Sequence, residues 1–448
     1  MTKSKIPLWA GKQLILVTLL LFAKYVSAQT LSTKPDSIPF APATNYEAGW
    51  APFSVFCADL DGDGDLDLAV ANTGGPDHVS IHKNNGDGTY QGAVNYGTGV
   101  GTRSVFCADL DGDTDLDLAV ANFNSDNVSI LKNNGNGTFQ SAVNYEAGDG
   151  PSSIFCADLD GDTDLELAVA NFNSDYVSIL KNNGDGTFQS AFNYDTGTSP
   201  ISVFCADLDG DHDLDMAVAN INSNNVSILK NNGDGTFQSA VNYESAYYPA
   251  SVFCADLDGD TDLDLAVAND GSENVSILKN NGDGIFQSAV NYGAGTEPLS
   301  VFCADLDGDG DLDLAIANWI SGNVSILKNN GDGTFQSAVN YMAGDHPRSV
   351  FCADLDGDYD MDLVIGNQFS HNVSILINLT IKYLRGDATG DSMLEIGDVV
   401  YLINYLYKNG PAPNPLWIGD ANCDQVVDAG DVILLINFLF KSGSSPSC

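Results

Sequence analysis

Apolar and polar residues alternate in short runs through most of the chain, and the central region carries no helical period. In the unit "SVFCADLDGDTDLDLAVANDGSENVSILKNNGDGIFQSAVNY" (Ser251 to Tyr292) four strand-length runs are separated by turns rich in Asp, Asn and Gly. "SVFCADL" leads into an aspartate turn, "DLAVAN" into a variable loop, "NVSILKNN" into a Gly-Asp-Gly turn, and "FQSAVNY" into the next unit. The unit occurs seven times. Its cysteines (Cys57, Cys107, Cys156, Cys205, Cys254, Cys303, Cys352) are spaced by 50 and then repeatedly by 49 residues. Four strands in each such unit predict an all-β, seven-bladed β-propeller. The seventh unit stops after "NVSILINLT" (Asn372 to Thr380) without its fourth run, whereas "FAPATNYEAG" (Phe40 to Gly49) supplies one ahead of the first unit. A strand from the N-terminal side therefore completes the last blade, and the ring closes with no open edge.

Composition narrows the function classes. The 448 residues are 44% hydrophobic, enough for a large core. The net charge of −44 is not spread in blocks: the seven aspartate turns, five acids each, hold 35 of the 61 acidic residues. That distribution points to local cation sites and offers phosphates no basic footprint, which argues against a nucleic-acid partner. The N-terminus reads as a cleaved secretory signal over residues 1–28, with Lys3, Lys5 and Lys12, the apolar run "LILVTLLLFA", and "VSA" before Gln29. No apolar run has the length of a membrane span, so an exported, soluble protein is expected. The reading divides the chain into a linker at 29–39, the propeller at 40–380 and a second domain at 381–448. Seven cysteines at one repeated strand position read as small buried hydrophobes rather than bridges. Cys423 and Cys448 remain as a candidate pair.

The aspartate turn carries the chemistry. Calcium takes six to eight oxygen ligands, and a short loop can offer them from carboxylates at alternate positions plus a backbone carbonyl. The acids stand at Asp59, Asp61, Asp63, Asp65 and Asp67 in the first copy and at Asp109, Asp111, Asp113, Asp115 and Asp117 in the second. The third has Asp158, Asp160, Asp162, Asp164 and Glu166, and the fourth Asp207, Asp209, Asp211, Asp213 and Asp215. The fifth has Asp256, Asp258, Asp260, Asp262 and Asp264, and the sixth Asp305, Asp307, Asp309, Asp311 and Asp313. Asp354, Asp356, Asp358, Asp360 and Asp362 complete the set. A plain hairpin turn needs one or two such residues, not five. Gly62 lets the chain reverse around an ion.

Through "ADLDGDGDLDLAVAN" and its copies, the region Phe40 to Thr380 resembles the FG-GAP or VCBS repeat family, which includes the calcium-binding propeller of integrin α subunits. Counting Asp59 as position 1, the resemblance implies side-chain ligands at positions 1, 3, 5 and 9 and a carbonyl ligand at position 7. The Asp65 side chain is then spare and expected to face solvent.

After Thr380 the pattern changes to two copies of a loop followed by an apolar helix, "GDATGDSMLEIGDVVYLINYLYKNG" and "GDANCDQVVDAGDVILLINFLFKSG". Positions 1, 3, 5, 7, 9 and 12 of the twelve-residue calcium loop fall on Asp387, Thr389, Asp391, Met393 (carbonyl), Glu395 and Asp398. In the second copy they fall on Asp420, Asn422, Asp424, Val426 (carbonyl), Asp428 and Asp431. This paired, EF-hand-like all-α domain resembles a type I dockerin, which implies a cohesin-type scaffold as partner. Positions 10 and 11, Ile396-Gly397 and Ala429-Gly430, depart from the hydroxyl pairs of that family.

The copies differ most in the loops between strands two and three and in the blade connectors, all on the end opposite the aspartate turns. Candidate ligand-binding residues there are Trp50, Tyr247, Tyr248, Trp319, His346 and Arg348, with Phe53, Arg103, Phe123, Phe172 and Tyr176 nearby. Aromatics beside polar groups suit a polysaccharide or a cell-surface protein. The five histidines follow no repeat position or nucleophile motif and are expected as incidental surface residues. No catalytic residues are assigned. The leading expectation is a secreted calcium-binding propeller held through its dockerin-like module. A polysaccharide-degrading enzyme and a purely structural or adhesion protein are the alternatives.

Overall fold

The computed structural model describes residues 37–380, 388–389, 394, 396–408, 410–413, 419–422 and 426–441. The expected signal segment, most of the 29–39 linker, and Asp387, Asp391, Met393, Glu395, Cys423, Asp424 and Cys448 lie outside them. The chain divides into two compact units, of which Ser37–Thr380 is one.

That unit is a seven-bladed propeller of four-stranded antiparallel sheets. Blade one comprises Pro52–Ala58, Asp67–Asn72, His78–His82 and Val94–Gly97, from the innermost strand outward. Blade seven is built from Pro347–Ala353, Asp362–Asn367 and Asn372–Leu376, and its outer strand is Thr44–Glu47. The register runs from Thr44 opposite Ile375 to Glu47 opposite Asn372, the closure expected from the sequence. A β-bulge lies at the start of each inner strand, between Pro52 and Ser54 in blade one.

The core lies between blades rather than inside any one of them. Alternate side chains of one sheet face opposite seams. Ala58, Leu60, Ala69, Ala71, Val79 and Ile81 of blade one therefore pack on Val105, Cys107, Leu118, Val120 and Leu131 of blade two. The second strand, sandwiched on both faces, is buried at every residue, which explains its unbroken apolar composition. The seven repeated cysteines are free and buried. Around the axis Phe56, Phe106, Phe155, Phe204, Phe253, Phe302 and Phe351 form a closed ring with centroids 4.7–5.0 Å apart.

The described part of the second unit holds two helices, Ile396–Lys408 and Ala429–Lys441, packed over Ala388, Val399, Leu402, Ala421, Val427 and Leu435. No helix among the described residues is long and apolar enough to cross a membrane.

Candidate functional site

Six of the seven aspartate turns have one geometry, set by the first and last carboxylates; in the sixth, Asp305 Oδ1 accepts from Asp309 N rather than from Gly308 N. Asp59 accepts from the backbone N–H of Gly62 at 2.8 Å and of Gly64 at 3.0 Å, which curls the loop. Asp67, buried at the head of the second strand, accepts from Asn84 N at 2.8 Å and Leu60 N at 3.3 Å. Gly62 has φ +78° and open space around it, so its lack of a side chain serves the backbone angle. Two residues on, Thr114, Thr163 and Thr261 also take φ of +78 to +79°, a strained conformation for a β-branched residue.

In each of five turns, at least three acidic oxygens approach within 4.8 Å of one another. The trio is Asp59, Asp61 and Asp63 in the first copy, and Asp158, Asp160 and Glu166 in the third. Burial pushes the ninth-position carboxyls up, to about 6 in Asp67 and about 7 in Glu166, with the neighbouring acids adding to the rise and backbone N–H groups opposing it. The seventh blade has Ile377 at the lysine position; in the other six turns the third-position acid has one oxygen paired to a lysine, as Asp61 Oδ2 to Lys83 Nζ at 2.8 Å. Its other oxygen, Oδ1, is buried without a hydrogen-bond partner in Asp61, Asp111, Asp160, Asp209, Asp258 and Asp307. An all-oxygen donor set with an orphaned buried acceptor fits a hard cation such as calcium. The Asp65 side chain is not turned out to solvent as expected. It is half-buried against Gly86 of the same blade's Gly-Asp-Gly turn, where an added Cβ would meet Asp65 Oδ2 at 2.7 Å.

A residue type that reads in sequence as plain turn chemistry ties these loops together. Asn84, the first asparagine of "NNGDG", donates through Nδ2 to Leu355 O of the preceding blade at 2.8 Å. Asn133, Asn182, Asn231, Asn280, Asn329 and Asn378 repeat this at 2.8–2.9 Å, giving one bond per seam around the whole ring. The accepting leucine is position 2 of an aspartate turn, so loop shape and blade contact are coupled. Exact repetition in a turn signature was the only signal, and it does not point across a seam.

In the second unit the loop residues that are described pair alike. Thr389 donates from N and Oγ1 to Asp398 Oδ1 at 3.1 and 2.9 Å, and Asn422 N donates to Asp431 Oδ1 at 3.1 Å. Asp398, Asp420 and Asp431 are buried, Asp428 N donates to Asp431 Oδ2 at 2.7 Å, and Val426 lies in a β-bridge.

Of the candidate ligand residues, the structure brings Trp319 and His346 together and leaves the others in separate places. Trp50 is 60% exposed and stacks on His371 with centroids 4.2 Å apart. Trp319 is not an open platform: it packs on His346 and Phe369, and its Nε1 donates to Gln368 Oε1 at 2.9 Å. Tyr247 and Tyr248 are exposed on the connector from blade four to five. Arg348 turns into the central channel against Phe53. Two histidines depart from the expected surface placement, since His78 and His82 occupy strand positions sealed by the blade seam and are buried.

Grooves run along the blade seams. The one between blades seven and one encloses about 610 Å³ and includes Tyr46, Glu47, Trp50, Gln91, Asn95 and His371. At the seam of blades three and four, Tyr194, Asp195, Gln238 and Asn242 occupy the matching positions around about 450 Å³. Asn95 Oδ1 accepts from Ser80 Oγ at 2.9 Å and Asn242 Oδ1 from Ser227 Oγ at 2.7 Å, so each amide is held in one orientation.

Comparison with known proteins fits this architecture. No curated protein gives a match. Among solved structures, a lectin from Agrocybe aegerita that recognises non-reducing terminal N-acetylglucosamine is 25% identical, with TM-score 0.50 over 65% of this chain and 80% of its own. BBS1N in complex with ARL6DN is 16% identical, with TM-score 0.55 over 76% and 97%. A virginiamycin B lyase from Staphylococcus aureus is 12% identical, with TM-score 0.50 over 77% and 99%. These last two share the fold alone. The FG-GAP-like repeat matches at residues 59–120, 109–169, 158–218, 207–267, 256–316 and 305–365, and the chain belongs to that family.

Proposed function

We propose that the protein is an exported, calcium-loaded propeller that binds carbohydrate in its seam grooves, with the C-terminal loop–helix pair joining it to a cohesin-type partner. The observation that carries this reading is the groove at blades seven and one. There Trp50, 60% exposed, lines the same groove as Gln91 and the fixed amide of Asn95, so one groove offers an apolar plane and oriented hydrogen-bonding groups. Similarity to a propeller lectin supports the same ligand class. The groove at blades three and four repeats the tyrosine, acid and amide positions but has Thr198 at the repeat position of Trp50, so the groove at blades seven and one is the principal site.

Calcium, when bound, supplies a fixed positive charge that relieves repulsion among the carboxylates of each turn. Asp59, Asp61, Asp63 and Asp67 would hold it by side chains and Asp65 by its carbonyl, and the other copies would do so alike. The chain's own part is to orient the donors: Gly62 N and Gly64 N fix Asp59, and Asn84 N and Leu60 N fix Asp67.

A glycan array probed with the full calcium-loaded chain tests the reading, followed by analysis of bound glycans for new reducing or unsaturated ends. Binding that weakens at least tenfold in Trp50→Ala, with glycans intact, is expected. Absence of binding to any glycan would refute it, and turnover would make the protein an enzyme.

A further inference from the structure

The mouth of the central channel at the end opposite the aspartate turns holds two cations that the fold leaves unpaired. Among the described residues of the propeller there are six lysines and two arginines. Every lysine pairs with the third-position aspartate of its own blade's turn: Lys83, Lys132, Lys181, Lys230, Lys279 and Lys328 with Asp61, Asp111, Asp160, Asp209, Asp258 and Asp307. Arg103 and Arg348 make no ion pair. They share one repeat position, the second residue of the inner strand, where the other blades carry Phe53, Ser152, Ile201, Ala250 and Leu299.

Ring closure brings them together, because blades seven and two flank blade one. Arg348 Cζ lies 3.5 Å and Arg103 Cζ 5.1 Å from the centroid of Phe53, and Arg103 Cζ is also 3.2 Å from that of Phe123. The aromatic faces hold the guanidinium planes, and the N–H edges are left without a protein acceptor. Arg348 Nε is buried and has no hydrogen-bond partner. Burial pulls Arg348 down to about 9, helped by the like charge of Arg103 and opposed by Asp270, and pulls Arg103 down to about 10; both remain charged at neutral pH. Asp270 is not within ion-pair distance.

The arginines border a cavity of about 130 Å³ with no carboxylate in its wall. Its other wall groups include the serine that follows the arginine position in every inner strand. Ser300 Oγ accepts from Val350 N at 3.3 Å and Ser349 Oγ from Val55 N at 3.2 Å, and no protein group accepts the hydroxyl protons of either. The volume is that of about four waters, which admits one oxyanion group, free or projecting from a larger molecule whose ring stays outside the cavity. In a chain of net charge −44, two unpaired arginines aimed at a carboxylate-free cavity mark a site for negative charge.

We propose that the channel mouth binds a small oxyanion, a carboxylate, sulfate or phosphate group, through Arg103, Arg348 and the adjacent serine hydroxyls. The site is separate from the seam grooves and stands whether or not those bind carbohydrate. Sodium sulfate and sodium galacturonate are titrated into the calcium-loaded chain by calorimetry at constant ionic strength, with galactose as the uncharged control. Saturable binding of at least one anion, no binding of galactose, and at least tenfold weakening in Arg348→Gln are expected. Preference for galacturonate assigns the site to uronic acids, and preference for sulfate to sulfate esters or free inorganic anions. With arginine labelled by ¹⁵N, wild-type protein should also show an Nε–H resonance that moves on saturation, a readout needing no variant. No saturable binding of either anion, or unmoved arginine resonances, would overturn the proposal.

Discussion

Ser374 Oγ donates to Asn45 Oδ1 at 2.6 Å, joining residues 329 positions apart across the one blade made from both ends of the propeller. The equivalent bond in the other blades links residues 15 positions apart, as Ser129 to Asn144 at 2.7 Å. Deleting the N-terminal chain through Glu47 should leave the third strand of blade seven as an open edge. Light scattering should then show association, and the melt should lose cooperativity. Asn45→Ala, which strands a buried hydroxyl, should cost about 1–3 kcal/mol. A monomeric deletion variant with an unchanged melt would contradict closure.

The seam asparagines should matter far more than their neighbours. Asn182→Ala removes the donor to Leu110 O at 2.9 Å and to Leu165 O at 3.1 Å, and should destabilise by about 1–3 kcal/mol. Asn183, whose amide only meets the exposed Thr187 hydroxyl, should change stability by less than about 0.5 kcal/mol when made Ala. Equal effects in chemical denaturation would show that the cross-blade bond is not what position 182 supplies.

His82 occupies the strand position held by Leu131, Leu180 and Leu229 in the next blades. Its Nδ1 meets Gln91 O at 3.2 Å, while Nε2 is buried without a partner. Burial lowers its pKa from 6.5, so the folded state resists the proton that the unfolded state accepts. Its effect on stability is constant above about 6.5; below that, stability is lost as pH falls, by up to about 1.4 kcal/mol per pH unit until the folded-state pKa is reached. His82→Leu should therefore melt higher than wild type, with a larger gap at pH 5 than at pH 8. A gap independent of pH would contradict this.

Most of the fold was legible in the sequence, because a 49-residue period with strand-length alternation admits few architectures and the displaced "NYEAG" piece declares the closure. The acid positions of the turns were legible for the same reason. What escaped depends on curvature. Arg103 and Arg348 are 245 residues apart and meet only because the ring brings blades two and seven to either side of Phe53. Burial of His78 and His82 escaped too, because seam packing seals both faces of a strand that its alternation alone leaves half-open. Loop position alone leaves the Asp65 side chain facing solvent, because the turn around Gly86 that covers it is not adjacent in sequence.

Elemental analysis of the full chain, dialysed against calcium-buffered and then metal-free solution, tests the cation sites most directly when paired with a thermal melt of the same samples. Seven occupied turns should retain about seven calcium ions per chain or more, and excess chelator should lower the melting temperature by many degrees as like-charged carboxylates lose their shared counter-ion. Less than one calcium per chain, with a melt that chelator leaves unmoved, would contradict the calcium-loaded propeller.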